Sequence, residues 1–155
     1  MLIKKSPWVY VMRCTQCNGC SIEISAALTP KYDLERFGVL VRPTPRQCDI
    51  FIVSGFLNKK MKKRILNIIP QLAKPFAVIA VGSCAISGGA FRFSKNFCCA
   101  VDEIMDVDVY IPGCPPRPES IIDGVFKALK VLDLSLIHIS EPTRPRLISY
   151  AVFCL

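Results

Sequence analysis

Two continuous apolar runs constrain the fold of this chain more than any other feature. One covers Asp49–Val53, apolar after its first residue, and the other covers Phe76–Val81. Short apolar runs without alternation are typical of strands that are buried on both faces, as in parallel sheets. The segment Asn58–Ala73 between them has apolar residues at helical spacing, and Asn58 is a suitable N-cap. The sequence therefore predicts a buried strand, a helix and a second buried strand in succession.

The rest of the chain extends this alternation of strands and helices. Alternating short strands and helices indicate an α/β protein with an open, mostly parallel sheet of the flavodoxin-like kind and helices on both faces. We assign no element to residues 83–100, a long Gly-rich stretch. The further predicted strands are Trp8–Arg13, Val39–Val41 and Val107–Ile111, and the further predicted helices are Ser21–Leu28 and Pro118–Val131.

The domain organisation is simple except at the C-terminal end. With 155 residues, of which 52% are hydrophobic, the chain fits one domain with one core. We predict that residues 1–133 form this domain. Residues 134–155 resemble the translation of a sequencing-library adapter, and we predict that they are not native; they include His138 and Cys154. We expect neither a secretory signal nor a transmembrane segment, so any link to a membrane is expected to come through partners.

The net charge of +8 raises the question of nucleic-acid binding. The only basic run is Lys59–Arg64, and no aromatic residues are interleaved with it. A solvated helix face is the preferred interpretation of this run, and we do not expect nucleic acid as a partner. An acidic partner protein and anionic lipid headgroups remain alternatives.

Nine cysteines without a secretory signal indicate metal or redox chemistry rather than disulfides. Three of them follow the first predicted strand, whereas Cys84 and Cys114 each follow a later strand. The carboxyl ends of parallel strands lie at one edge of a sheet, so we expect these cysteines to share that edge. Cys48 precedes a strand and is expected at the opposite edge.

Four converging thiolates suit a 4Fe–4S cluster, because soft sulfur ligands match iron. Cys17 and Cys20 form a Cys-x-x-Cys pair, and Cys14, three residues before Cys17, is a candidate substitute for Cys17 as a ligand. Gly19, Gly82 and Gly113 stand beside the ligands and are predicted to allow close approach of the backbone. Two alternatives stay open, namely buried core cysteines and a zinc-stabilised interaction module.

Three motifs and their order give the sequence a family resemblance. They are Cys17-Asn18-Gly19-Cys20, Gly82-Ser83-Cys84-Ala85 and Pro112–Glu119 with Cys114 inside it. Over residues 8–131 the chain resembles the small subunit of membrane-bound, energy-converting nickel–iron hydrogenases. The resemblance implies one proximal 4Fe–4S cluster on Cys17, Cys20, Cys84 and Cys114. It also implies an electron-transfer subunit of an oxidoreductase complex, without hydrogen chemistry on this chain alone.

The resemblance carries further expectations about partners and location. It implies a large subunit that bears the nickel–iron centre, a ferredoxin-like iron–sulfur subunit, and membrane subunits that couple the reaction to ion translocation. The chain would then be cytoplasmic and peripheral on the membrane. The alternative in the same superfamily is the 20-kilodalton cluster subunit of NADH–quinone oxidoreductase, whose first motif has two adjacent cysteines rather than Cys-x-x-Cys.

Ser21 and Glu23 lie next to the first motif. Ser21 stands where the resemblance leads us to expect Asp. Glu23 lies close to the predicted ligands and is a candidate proton relay towards the large subunit. The alternative role for Glu23 is that of an acidic residue favoured by the dipole at a helix N-terminus.

Overall fold

The structure is a computed structural model that describes residues 6–140, with side chains described through residue 135. Five strands form one sheet in the order β2-β1-β3-β4-β5, and every pair of neighbours is parallel. This is the flavodoxin-like order, so the predicted α/β class and topology are confirmed. The strands are β1 (Trp8–Arg13), β2 (Leu40–Val41), β3 (Ile50–Ser54), β4 (Ala77–Val81) and β5 (Val109–Ile111).

Four α-helices connect and follow the strands: α1 (Gly19–Ala27), α2 (Lys59–Ile68), α3 (Ser83–Ser87) and α4 (Pro118–Ser140). The predicted N-cap of α2 is confirmed, because Asn58 Oδ1 accepts a hydrogen bond from the Met61 amide at 2.8 Å. The helix ends five residues before the predicted Ala73. Pro70 lacks an amide proton, and the chain tightens there into a 3₁₀ turn over Ile69–Gln71.

The helices cover both faces of the sheet, and the alternation within β3 shows why. Ile50 and Ile52 belong to one buried cluster, which they share with α1 and α4. Phe51 and Val53 belong to a second buried cluster, which they share with α2. Because successive side chains of a strand point to opposite faces, a strand covered on both sides must be apolar throughout. All five residues of β3 are buried, as the run of apolar residues predicted.

The C-terminal helix differs from its prediction in length. It begins at Pro118 as expected, but it continues past Val131 to Ser140 and so runs into the predicted non-native tail. Residues 141–155, including Cys154, lie outside the described residues. Among the helices that the structure describes, none is long and apolar enough to cross a membrane.

The strand register places the functional loops. Arg13, Ser54, Val81 and Ile111 are partners in one row across β1, β3, β4 and β5, and each ends its strand. The loops that follow these strands therefore leave the same edge of the sheet, the carboxyl edge. At the opposite edge the Trp8 amide donates a hydrogen bond to Asp49 Oδ2 at 2.9 Å, which ties the start of β1 to the segment before β3.

Candidate cysteine site

The first cysteine pair lies where β1 turns into α1. Cys17 is exposed in the connecting loop, and Cys20 is the second residue of α1 and is buried. Asn18, between them, has a φ of 70°, in the left-handed region that Asn tolerates better than most residues. This left-handed residue lets the chain turn directly from the loop into the helix, so that the two thiols are presented within one turn of chain.

The Cys84 turn and the Cys114 loop are connected by hydrogen bonds. Ser83 donates to the Gly113 carbonyl twice, from its amide at 2.9 Å and from its hydroxyl at 3.1 Å. The Gly82 amide donates to the Ile111 carbonyl at 2.9 Å. Residues adjacent to both cysteines are therefore held together at the ends of neighbouring strands.

Of the three glycines that were predicted to allow close approach of the backbone, two are required for it. A Cβ atom at Gly82 would lie 2.6 Å from Cys20 Sγ, and one at Gly113 would lie 2.5 Å from Pro116 Cα. Both glycines also have positive φ values, +85° and +147°. For Gly19 the prediction is wrong, because a Cβ atom there would meet Cys17 Sγ and Pro115 at 3.6 Å, an ordinary contact distance.

The four thiols interact electrostatically. Burial, followed by the charges of Cys84, Cys17 and Cys114, raises the pKa of Cys20 to about 11. Burial, followed by the charges of Cys114 and Cys17, also raises the pKa of Cys84. Thiolates in this group disfavour one another, and a positively charged metal would relieve that repulsion.

Metal-binding distances do not by themselves define a site here. Among the side chains that the structure describes, those of residues 6–135, no three of His, Cys, Asp or Glu lie close enough together to hold a single metal ion. What relates the four thiols is therefore their common position at the carboxyl edge and the close approach of the Gly82 turn to Cys20 Sγ, together with the raised pKa of Cys20 and Cys84. Their chemistry fits an iron–sulfur cluster, since four soft sulfur donors are its usual ligand set.

The remaining cysteines have different surroundings. Cys14 is buried on the α2 side of the sheet, whereas Cys20 is buried on the α1 and α4 side. Burial, opposed by the charge of Arg64, raises the pKa of Cys14 to about 12. Cys48 is buried just before β3, at the opposite edge as predicted. Cys98, exposed, and Cys99, buried, follow each other in the loop after α3.

The structure also shows features that the sequence did not reveal. Gln16 Nε2 donates a hydrogen bond to Ser21 Oγ, so that the two side chains bracket the Cys17–Cys20 segment. No motif signals this pair, although the Gln-x₄-Ser spacing around a Cys-x-x-Cys pair would serve as a search pattern. The short helix α3, which carries Cys84, was likewise not predicted.

The position of Glu23 removes one of its two interpretations. The first turn of α1 contains no acidic residue, and Glu23 lies in the second turn, half-buried. Favourable interaction with a helix dipole falls off within the first turn. A dipole-stabilising role therefore does not explain Glu23, which lies three residues after Cys20 and thus beside it on the helix surface.

Fold and site together define a parallel α/β protein with a four-thiol group at the carboxyl edge of its sheet. Residues 17–128 match the family described as NADH ubiquinone oxidoreductase, 20 Kd subunit. The chain belongs to this family. The resemblance found in the sequence is thereby confirmed at the level of the superfamily.

Similar proteins include subunits of both hydrogenases and quinone reductases. The probable membrane-bound hydrogenase subunit mbhJ of Pyrococcus furiosus is 46% identical over 84% of this chain and 78% of its own length. A subunit of the NADH-quinone oxidoreductase of Carboxydothermus hydrogenoformans is 52% identical over 68% of this chain and 64% of its own length. In a solved structure, the archaeal membrane-bound sulfane sulfur reductase, one chain is 41% identical with a TM-score of 0.72, over 83% of this chain and 71% of that one. These relatives are subunits of oxidoreductase complexes.

Proposed function

We propose that this chain is the electron-transfer small subunit of a multisubunit nickel–iron hydrogenase and carries one proximal 4Fe–4S cluster. The ligands would be Cys17, Cys20, Cys84 and Cys114. The partners would be a large subunit that bears the nickel–iron centre, a ferredoxin-like iron–sulfur subunit and membrane subunits that translocate ions. The chain would lie on the cytoplasmic face of the membrane, attached through these partners.

The common position of the four cysteines at the carboxyl edge of the sheet is the observation that carries this proposal. Hydrogen bonds from Ser83 to Gly113 join the Cys84 turn to the Cys114 loop, and Gly82 lies against Cys20 Sγ. Cys20 and Cys84 are buried, and other thiols of the group raise the pKa of each. When bound, the cluster supplies one-electron transfer at a potential that its charge, hydrogen bonds and exposure determine. This chain contributes the four sulfur ligands. Binding iron requires each thiol to give up its proton, and the iron charge offsets the repulsion that disfavours the free thiolates.

The exposure of the site supports a role in transfer between subunits. Cys17 and Cys114 are exposed, whereas Cys20 and Cys84 are buried. A cluster held by this set would have one side in the protein and the other towards the surface, where a partner subunit can approach. The burial of Cys20 and Cys84 would exclude water from the inner side.

We also propose that the Glu23 carboxylate carries protons towards the large subunit. Its half-buried position beside Cys20 on α1 supports this role. Glu23→Gln removes the titrating group and keeps the shape of the side chain. It should slow hydrogen turnover in the assembled complex and leave the iron content of this chain unchanged.

An EPR-monitored redox titration of the full chain, reconstituted anaerobically with iron and sulfide, tests the cluster. We expect about four irons per chain and a single cluster signal. Cys17→Ala and Cys84→Ala should each lose the signal. Cys48→Ala is the matched control, since Cys48 is a buried cysteine at the opposite sheet edge, and it should keep the signal.

Three results would contradict the assignment. Full iron content in both ligand variants would mean that other residues bind the iron. Zinc bound in place of iron, with no signal, would favour a zinc-stabilised interaction module. A colourless protein as purified under anaerobic conditions would point the same way.

The alternative is that this chain is the cluster subunit of a quinone reductase. The similarity to the NADH-quinone oxidoreductase of Carboxydothermus hydrogenoformans supports this alternative. The Cys-x-x-Cys form of the first motif supports the hydrogenase instead. Isolation of the native complex and analysis of its metals separates the two. A large subunit that contains nickel supports the hydrogenase, and one that lacks the nickel-ligating cysteines supports the quinone reductase.

A further inference from the structure

Charge is strongly segregated along this chain. Between Asp49 and Asp102 the sequence contains no Asp or Glu, yet it contains eight Lys and Arg residues. Five of these eight are consecutive or nearly so in Lys59–Arg64, which covers the first part of α2. The first part of α2 is therefore far more basic than the chain as a whole.

The fold brings a second segment of this basic stretch next to α2. The Cys98 amide donates a hydrogen bond to the Leu57 carbonyl at 2.9 Å, and Leu57 and Cys99 form an isolated antiparallel bridge. These contacts hold the loop after α3 against the residues that precede α2. Lys95, in that loop, consequently lies across a cleft from Lys59 and Lys60.

We define the basic face as the three lysines that line this cleft together with the two exposed cations one helical turn further along α2: Lys59, Lys60, Lys95, Lys63 and Arg64. The cleft has a volume of about 420 Å³, and its other lining residues are Asn58, Asn96 and Phe97. All five cations are exposed. Arg92 does not belong to the basic face, because it lines a separate cleft with Asp102 and Glu103, whose carboxylates reduce its availability to an external anion.

An exposed aromatic residue lies close in sequence to Lys95. Phe93, two residues before Lys95, is 96% exposed, the largest value among the exposed large apolar residues of the described chain. Aromatic residues are enriched at protein–protein interfaces relative to the rest of the protein surface. The neighbouring Phe91 and Phe97, by contrast, pack against Phe56, with ring centroids 5.1 and 6.2 Å away.

We propose that the basic face binds an acidic segment of a partner protein, with Phe93 as the apolar contact. Charge complementarity selects an anionic partner. The lysines line a concave cleft, which suits a protruding chain segment better than a flat bilayer surface. This binding uses none of the cysteines of the candidate site, so the proposal does not depend on the presence of the cluster.

Binding of a fluorescent peptide of alternating Glu and Leu to the full, reconstituted chain tests the proposal by anisotropy. A peptide with Gln in place of Glu should bind far more weakly. Lys59→Glu combined with Lys95→Glu should weaken binding of the acidic peptide by about tenfold or more. Phe93→Ser should weaken it by about threefold or more without a change in thermal stability, since the side chain is exposed.

A charge-matched variant controls for long-range attraction. Lys31→Glu combined with Lys130→Glu makes the same change in net charge at two exposed lysines outside the basic face. It should keep binding within about threefold of the parent. The alkylation rate of the exposed Cys98, followed by mass spectrometry of proteolytic fragments, reports whether the acidic peptide covers this face. Bound acidic peptide should slow the alkylation of Cys98.

Three outcomes would overturn the proposal. Equal weakening by both double variants would show attraction by net charge alone. Absence of binding to the acidic peptide would exclude an acidic segment. Binding to vesicles of phosphatidylcholine and phosphatidylserine, or to single-stranded DNA, that depends on Lys59 and Lys95 while peptide binding does not, would assign the face to a membrane or to nucleic acid.

Discussion

Gly82 lies so close to Cys20 Sγ that only glycine fits at position 82. A Cβ atom at position 82 would lie 2.6 Å from Cys20 Sγ, closer than real Cβ atoms approach other heavy atoms. Gly82 has φ 85° and ψ 157°, a backbone region that is essentially restricted to glycine. The turn before Cys84 is thus shaped around the thiol of Cys20, which comes from another part of the chain.

Gly82→Ala should therefore disturb both fold and site. The backbone conformation costs about 1–3 kcal/mol for a residue with a Cβ atom, and the contact with Cys20 Sγ adds to this cost. We expect the free energy of unfolding to fall by at least this amount in urea denaturation. We also expect the iron content after reconstitution to fall, because Cys20 Sγ must move.

Gly19→Ala is the matched control, since Gly19 also lies beside the candidate ligands. Its Cβ atom would make only ordinary contacts at 3.6 Å, and alanine favours the helix that begins there. This variant should retain the parent's stability and iron content. Equal losses in the two variants would contradict a specific role for the contact between Gly82 and Cys20.

Cys14 and Cys17 should differ as iron ligands. Cys14 is buried in the core cluster on the α2 side, whereas the charge of Cys17 contributes to the raised pKa of Cys20. We expect Cys14→Ala to keep the EPR signal and the iron content, and to lose stability by about 1 kcal/mol through a small cavity. Cys17→Ala should lose the signal.

The reverse result would make Cys14 the fourth ligand. Loss of iron in Cys14→Ala alone, with a folded protein by circular dichroism, would establish that the loop rearranges to bring Cys14 to the iron. Loss of iron in both variants would indicate that Cys14 fixes the loop from which Cys17 extends.

Much of the fold was predictable because burial on both faces leaves a strong pattern. β3 and β4 are entirely buried, and continuous apolar runs of this length are typical of central parallel strands. The positions of Cys84 and Cys114 follow from that topology, since each comes directly after a strand. Pro118 and Asn58 marked helix starts through local chemistry alone.

The features that were missed depend on contacts distant in sequence. The five-residue helix α3 is too short to show a helical period, and its start is fixed by hydrogen bonds from Ser83 to Gly113, thirty residues away. Gly19 resembled Gly82 in sequence context, yet only Gly82 meets a side chain from another element at prohibitive distance. Local patterns carry no information about such encounters.

The hydrogen bond from Gln16 to Ser21 should stabilise the Cys17–Cys20 segment. Ser21 is buried, and Gln16 Oε1 is buried without a hydrogen-bond partner among the described residues. Ser21→Ala would leave the whole Gln16 amide unpaired. We expect a loss of about 1–2 kcal/mol in the free energy of unfolding, measured by urea denaturation.

A double variant tests whether the cost arises from the unpaired amide. Gln16→Leu combined with Ser21→Ala removes both partners, and replacing both by apolar groups is close to neutral. The double variant should therefore be more stable than Ser21→Ala alone. If the losses measured for Gln16→Leu and Ser21→Ala separately add up to the loss of the double variant, the hydrogen bond contributes nothing to stability.

Cys48 should make the protein less stable in alkaline solution. Burial, followed by the charge of Asp49, raises the pKa of its thiol from 9.0 to about 11. The folded state thus holds this proton more tightly than the unfolded state, so its contribution to stability is complete below about pH 9 and is lost as the pH rises through about 11. Cys48→Ala should flatten the fall in the free energy of unfolding over this range by up to about 2 kcal/mol, measured by urea denaturation at successive pH values.

Because other groups titrate equally in parent and variant, the difference between their two curves isolates Cys48. Parallel curves would show that the folded protein does not hold the Cys48 proton more tightly than the unfolded chain does.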